Sequence, residues 1–378
     1  MAIAEPSLTI GLEEEYFLVE RATGALAAEP PPELLQECEA RLDGRASPEF
    51  LRAQIEVQTR ICRTVAEARA DLALARRTIA EVAARHGLAP IACSTHPFAR
   101  WEAQRPTPRE RYASLGHDLQ AVGRRLVICG LHVHAGVENE ELRVDLMNQV
   151  TYFLPHLLAL STSSPFWRGE ETGLQSYRLS VFNEIPRTGP PDHFESWGEY
   201  QRQLNRLVEA GLISDASKLW WDLRPSAWFP TLEMRITDVP TRLDDAIAIA
   251  ALYQGLLSML WRLRRENQRW RVYPHLLIKE NRWRAQRYGL DEGLVDFGKG
   301  EIVPYAHLLE EIIALIRPDA ERLGSLAEAE SARAILARGT SAHHQRRVYR
   351  EAVAAGATRE EALKAVVEWL IAETVAGL

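Results

Sequence analysis

Four short segments of this chain alternate apolar and polar residues with a period of two, and in each the polar set consists of groups that bind cations or anions. In Gly11-Leu12-Glu13-Glu14-Glu15-Tyr16-Phe17, strand geometry puts Glu13 and Glu15 on one side and Leu12, Glu14, Tyr16 and Leu18 on the other. Between Ala53 and Ile61, Ile55, Val57, Thr59 and Ile61 oppose Gln54, Glu56, Gln58 and Arg60. Leu131 and Val133 oppose His132 and His134, and Leu232, Met234 and Ile236 oppose Glu233, Arg235 and Thr237. One-sided alternation of this kind belongs to antiparallel strands with one face on a core. As neighbours, these strands would gather Glu13, Glu15, Glu56, Glu233, Arg235 and His132 or His134 on one face. Carboxylates so placed repel unless a cation sits among them. Hard oxygen ligands with one imidazole suit Mg²⁺ or Mn²⁺ better than zinc, which prefers sulfur or nitrogen. Each segment alone reads equally well as the wet face of a half-solvated sheet, but four coincident polar faces favour a cation and phosphate site.

The rest of the chain frames that site. Its 378 residues carry 45 basic and 52 acidic side chains, a net charge of −7 that disfavours nucleic acid as the main partner. Cys38, Cys62, Cys93 and Cys129 form no CxxC pair, so a reducing cytoplasm fits better than a disulfide framework. Met1 to Ile10 shows no export signal, and Ala246 to Trp261, interrupted by Gln254 and flanked by charges, reads as a core helix rather than a membrane span. The pattern predicts strands over Leu8–Val19, Leu88–Ser94, Leu126–Val137 and Thr231–Thr237. It predicts a helix over Thr64–His86 stopped by Gly87, and a long helix ending near Leu160. Ser161 to Asp192 is loop-rich. From about residue 241 the chain reads as almost wholly helical, with breaks at Pro274, Gly289, Pro304, Pro318 and Gly356. GxGxxG and GxxxxGK[ST] are missing, which removes the Rossmann and P-loop readings. An α+β fold follows, with helices against a largely antiparallel sheet, as one domain over 1–378.

The motifs resemble the type 2 glutamate-cysteine ligases, a carboxylate-amine ligase family related to glutamine synthetase in fold. The resemblance rests on Gly11-Leu12-Glu13-Glu14-Glu15, Gln54-Ile55-Glu56-Val57-Gln58-Thr59, Cys129 to His134, Ser163 to Gly169, Thr172 to Arg178, Pro230 to Arg235 and Glu280 to Gly289. It implies a funnel-shaped site over the sheet, with ATP and Mg²⁺ as cofactors. A carboxylate would attack the γ-phosphate of ATP, and an amine would then displace phosphate from the acyl phosphate. The superfamily pattern falls on Glu13, Glu15, Glu56, His132 and Glu233 as metal ligands, with Glu49 as an added one, and on Glu233 and Arg235 as the catalytic pair. Arg178, in a strand-like Ser176-Tyr177-Arg178-Leu179, would clamp a carboxylate or phosphate beside Arg235. Glutamate and cysteine are the substrates the resemblance implies. A metal-dependent amide or phosphoester hydrolase and a non-catalytic nucleotide or amino-acid sensor are the alternatives. Trp220, Trp221 and Arg224 could line the pocket, though most of that aromatic mass reads as core. His343, His344, Arg346 and Arg347 read as a solvated helical face, and the helical half leaves surface for a homodimer.

Overall fold

The computed structural model describes residues 3–378, apart from the side chain of Arg111. Met1 and Ala2, which begin the stretch read as lacking an export signal, lie outside the described residues. In chain order the first half runs β1 (Ile10–Glu20), α1 (Pro32–Arg41), β2 (Ala46–Pro48), β3 (Gln54–Gln58), α2 (Val65–Arg85), β4 (Leu88–Ile91), α3 (Glu110–Arg124) and β5 (Leu131–Gly136). A seven-stranded sheet has the order Leu223–Pro225, Thr231–Met234, β5, β1, β3, β2, with β4 also paired to β1. Every pairing in it is antiparallel.

The predicted faces hold along the strands, but not at Ile61, which lies beyond the end of β3 at Gln58 and is 79% exposed. Leu12, Tyr16, Leu18, Ile55, Val57, Leu131, Val133, Leu232 and Met234 are buried, and α2 and the helix Leu243–Arg265 pack behind the central strands. α2 starts where the Thr64 hydroxyl accepts from the Glu67 N–H at 3.2 Å, and the chain leaves it through Gly87 at φ +70. Leu243–Arg265 is the one helix among the described residues long and apolar enough to cross a membrane, and it lies inside the fold. From there Tyr253 Oη donates to the Leu232 carbonyl (3.1 Å) and Gln254 Nε2 to the Leu8 carbonyl (2.7 Å).

Glu14 points to this back face, where Arg76 of α2 grips it with bonds of 2.7 and 2.8 Å and the Tyr16 hydroxyl also donates to it. The same guanidinium donates to the carbonyls of Pro240, Thr241 and Thr374, fastening the last helix to the sheet.

Several sequence expectations need correction. The strand predicted from Leu126 begins only at Leu131, and the long helix is divided into Glu140–Val150, a 3₁₀ turn Thr151–Phe153 and Leu154–Ser161. A hairpin of Leu294–Asp296 and Glu301–Val303 interrupts the helical half. Pro318 does not break its helix, which runs Tyr305–Leu323. Asp319 beside it is held by Ser258 and Arg262, and Arg262 also donates to the Leu315 carbonyl at 3.1 Å, which ties the turn around the proline to the helix Leu243–Arg265. Arg178 opens a short helix, Arg178–Phe182, rather than lying on an edge strand. His344 and Arg346 are buried: His344 stacks on Trp369, and Arg346 donates to the Leu174 carbonyl.

Two buried histidines make the fold acid-sensitive. His96 donates from Nε2 to the Gly24 carbonyl (2.9 Å) while Nδ1 accepts from the Phe98 and Ala99 N–H groups, so burial moves its pKa from 6.5 down to about 4. Burial does the same to His156. A folded-state value depressed below the unfolded one means stability is complete above pH 6.5 and lost as pH falls towards 4, at about 1.4 kcal/mol per pH unit for each histidine. Urea unfolding midpoints should therefore fall steadily from pH 6.5 to 4.5. A flat profile there would contradict the assignment.

Candidate active site

Register alone assembles the polar face. On β1, Glu13 lies opposite His132 of β5 and Gln58 of β3, and Glu15 lies opposite Glu56. One step outward, Glu233 lies opposite His134 and Arg224. The structure thus brings Glu13, Glu15, Glu56, His132, Glu233 and Arg235 to the wall of one cavity of about 470 Å³, and Glu49 and Arg178 join them. Glu49 gets there because it follows β2 directly, and its carboxylate accepts from the Phe50 N–H at 3.1 Å.

Glu13 is central. Its oxygens lie 3.2 Å from His132 Nδ1 and 3.3 Å from His134 Nε2. Burial pushes its carboxyl up, but hydrogen bonds to the two imidazoles outweigh that and hold it well below the usual range. Burial lowers His132, whereas contact with Glu13 and the Glu233 charge raise His134 against its own burial. Of the two imidazoles beside Glu13, His134 is therefore the more readily protonated. Glu15 accepts from the Gly130 N–H at 2.8 Å. A Cβ at residue 130 would stand 2.5 Å from the Arg178 guanidinium, so any other residue there would displace that arginine.

Glu56 is the anomalous carboxyl. Burial and the charges of Glu49, Glu13 and Glu15 push it well above the usual range, against only a 2.9 Å bond from the Gln58 amide and a 3.3 Å bond from the Ser47 hydroxyl. Ligand atoms lie within 4.8 Å of one another in three overlapping sets: Glu13, Glu56 and His132; Glu15, Glu49 and Glu56; and Glu13, His134 and Glu233. The first two sets bring carboxylate oxygens and the His132 imidazole, from three strands and the β2 end, to within one ion's reach, which fits a hard divalent cation. The third fits less well, because both Glu233 oxygens already accept from arginines.

Arg224 holds Glu233 in a two-pronged grip of 2.9 and 3.1 Å, and Arg235 donates to the same carboxylate. Burial raises the Glu233 carboxyl, the two guanidinium groups lower it, and the net result lies well below the usual range. Arg178 is buried and donates to the Ile236 and Arg235 carbonyls, both at 3.2 Å. Arg178 and Arg235 each keep a buried Nε without a hydrogen-bond partner.

Sequence reasoning named neither Arg224 as the clamp on Glu233 nor His134 as the second imidazole on Glu13. Alternation did place His134 on the correct face, and the Arg224–Glu233 pairing depends on a hairpin register that no local pattern states. Trp220 lines the cavity, whereas Trp221 packs on Phe194 and Tyr200. The serine-rich and aromatic motifs support the site from outside. Ser163, Ser164 and Ser176 all donate to buried Asp238. Arg282 grips Asp222, whose carbonyl receives the Arg235 and Ile236 N–H groups.

Known proteins resemble this chain along nearly its whole length. A protein of Rhodospirillum rubrum named "Putative glutamate--cysteine ligase 2" is 62% identical over 378 residues, covering 99% of this chain and 97% of that protein. One of the same name from Jannaschia is 54% identical, covering 97% of each. Among solved structures, a Francisella tularensis glutamate-cysteine ligase in complex with AMP superimposes with TM-score 0.69 at 13% identity, over 100% of this chain and 90% of that one. A bifunctional glutathione synthetase of Pasteurella multocida gives 0.68 at 15% identity, over 97% of this chain and 52% of that one. At those identities the likeness establishes the fold, a helix-flanked antiparallel sheet. The model of glutamate-cysteine ligase family 2 matches residues 9–368, and the chain belongs to that family.

Proposed function

We propose that this chain is an ATP-dependent carboxylate-amine ligase that joins glutamate, through its side-chain carboxylate, to the amino group of cysteine. The observation that carries the reading is the convergence of Glu13, Glu15, Glu49 and Glu56 with Arg178, Arg224 and Arg235 on one cavity wall, in a chain of this family. The glutamate carboxylate attacks the γ-phosphorus, ADP leaves, and the amine then attacks the acyl carbon as phosphate departs. Glu13, Glu56 and His132, and Glu15, Glu49 and Glu56, would hold divalent ions, most suitably Mg²⁺. Such ions, when bound, neutralise phosphate charge and align it for attack. Arg235 and Arg178 present positive charge to the transferring phosphoryl group through N–H groups that have no protein acceptor. Arg224 fixes Glu233, and Glu233 in turn fixes Arg235, so the pair at Glu233 and Arg235 acts by placing the arginine. The four buried free thiols suit a reducing cytoplasm.

An ADP-release assay tests the reading. ADP should appear only with glutamate, cysteine, ATP and Mg²⁺ together, with a product mass equal to the condensed dipeptide. Nucleotide-independent cleavage of an amide or phosphate ester would instead make the protein a hydrolase.

The carboxylate crowding yields a stability prediction. With chelator present, Glu56→Gln should raise the melting temperature, because it removes the charge that Glu49, Glu13 and Glu15 repel. Millimolar Mg²⁺ should stabilise the wild type and do little for the variant, as binding to the folded state alone requires. Equal Mg²⁺ shifts in both proteins would remove Glu56 from the ligand set.

A further inference from the structure

Among the described residues the cavity wall carries five cationic side chains, and they divide by what they already touch. Arg178 is buried, Arg224 and Arg235 are half-buried, and all three are bonded to protein carbonyls or to Glu233. Arg109 and Lys218 also line the cavity, and among the described residues neither side chain has a hydrogen bond or ion pair. Their backbones, by contrast, are firmly held. Around Lys218, the carbonyls of Ser217 and Leu219 accept from Arg224 at 2.8 and 3.0 Å, and its own carbonyl accepts from Arg187 at 3.0 Å. Arg109 donates its N–H to Thr107 at 2.8 Å, and its carbonyl receives the Tyr112 and Ala113 N–H groups at the start of α3. Thr107 and Tyr112 are themselves tied to the Glu49 and Pro48 carbonyls beside the acidic cluster. Two fixed attachment points thus present to one cavity two cations that no described hydrogen bond or ion pair engages.

The proposed reaction leaves two carboxylates without a chemical role: the α-carboxylate of glutamate and the carboxylate of cysteine. Each must be held while a different group reacts, and each would be repelled by Glu13, Glu15, Glu49 and Glu56. We propose that Arg109 and Lys218 are specificity-determining residues that anchor these two non-reacting carboxylates, one cation to each substrate. This rests on the ligase reading above. It assigns selection of α-amino acids over their decarboxylated analogues to two side chains outside the phosphate machinery. It also relieves Arg178 of the carboxylate clamp that the resemblance suggests, since its guanidinium braces the turn bearing Arg235.

Charge removal at constant length provides the test. Arg109→Met and Lys218→Met are assayed by ADP release in Mg²⁺ and ATP, with glutamate or 4-aminobutyrate as the acid and cysteine or cysteamine as the amine. Both side chains are at least partly exposed, so melting temperatures should match the wild type. One variant should raise KM for glutamate at least tenfold and leave KM for 4-aminobutyrate unchanged. The other should do the same for cysteine against cysteamine. Unchanged KM values, equal losses with the decarboxylated analogues, or both variants acting on the same substrate would overturn the assignment while the ligase reading stands. A wild type that releases no ADP with glutamate and cysteine would overturn both.

Discussion

Replacing Arg76 with methionine should destabilise the protein by about 3–5 kcal/mol, the usual cost of breaking a buried ion pair by removing one partner. Both side chains of the Arg76–Glu14 pair are wholly enclosed. The variant would leave Glu14 charged in an apolar layer, with only the Tyr16 hydroxyl beside it, and would strip a donor from the carbonyls of Pro240, Thr241 and Thr374. Urea unfolding measures the loss. The double variant Arg76→Met with Glu14→Gln should recover part of it, because much of the cost is the orphaned carboxylate rather than the lost attraction. Activity per folded molecule should survive, since the pair lies behind the sheet. A single-variant loss below about 1 kcal/mol would mean that water reaches Glu14 in solution.

The division between Glu14 and its neighbours is legible in the residue order alone, because period-two geometry sends Glu13 and Glu15 one way and Glu14 the other. The same arithmetic places Glu56, His132, His134, Glu233 and Arg235, since a one-residue slip would put Leu12, Val57 and Val133 into water. What local pattern hides is set by distant contacts. Nothing near Glu14 announces that Arg76, 62 residues later, will neutralise it, and nothing near Arg224 announces its grip on Glu233. Arg178 reads as strand-like because Ser176-Tyr177-Arg178-Leu179 alternates, yet the Ser164 hydroxyl accepts its N–H at 3.1 Å and the chain turns into a helix there. His344 and Arg346 have the composition of a wet face. The helix Arg359–Thr374 packs on the helix Ser341–Ala354 and lays Trp369 on His344, while Leu174 and Glu171 meet Arg346. Local pattern fixes which way a side chain points, and tertiary packing decides what meets it.

Glu13→Gln should give the converse of the Arg76 result: turnover lost, stability nearly kept. Glu13 contributes to two of the three candidate ligand sets and sits between both histidines. An amide of the same shape keeps the packing of β1 but loses the charge that would hold a cation and that raises His134. Loss of an outer partner of a metal ligand costs about 10–100-fold, so loss of a direct ligand should lower kcat/KM for ADP release by more than about 100-fold. The melting temperature with chelator present should stay close to the wild type, while the stabilisation by Mg²⁺ should shrink. Glu14→Gln, one residue along the same strand, should weaken the fold and leave kcat/KM within a few-fold. Turnover of Glu13→Gln within tenfold of the wild type would put the metal-binding carboxylates elsewhere. A large activity loss in Glu14→Gln at temperatures where it is folded would show that the two faces of β1 are not independent.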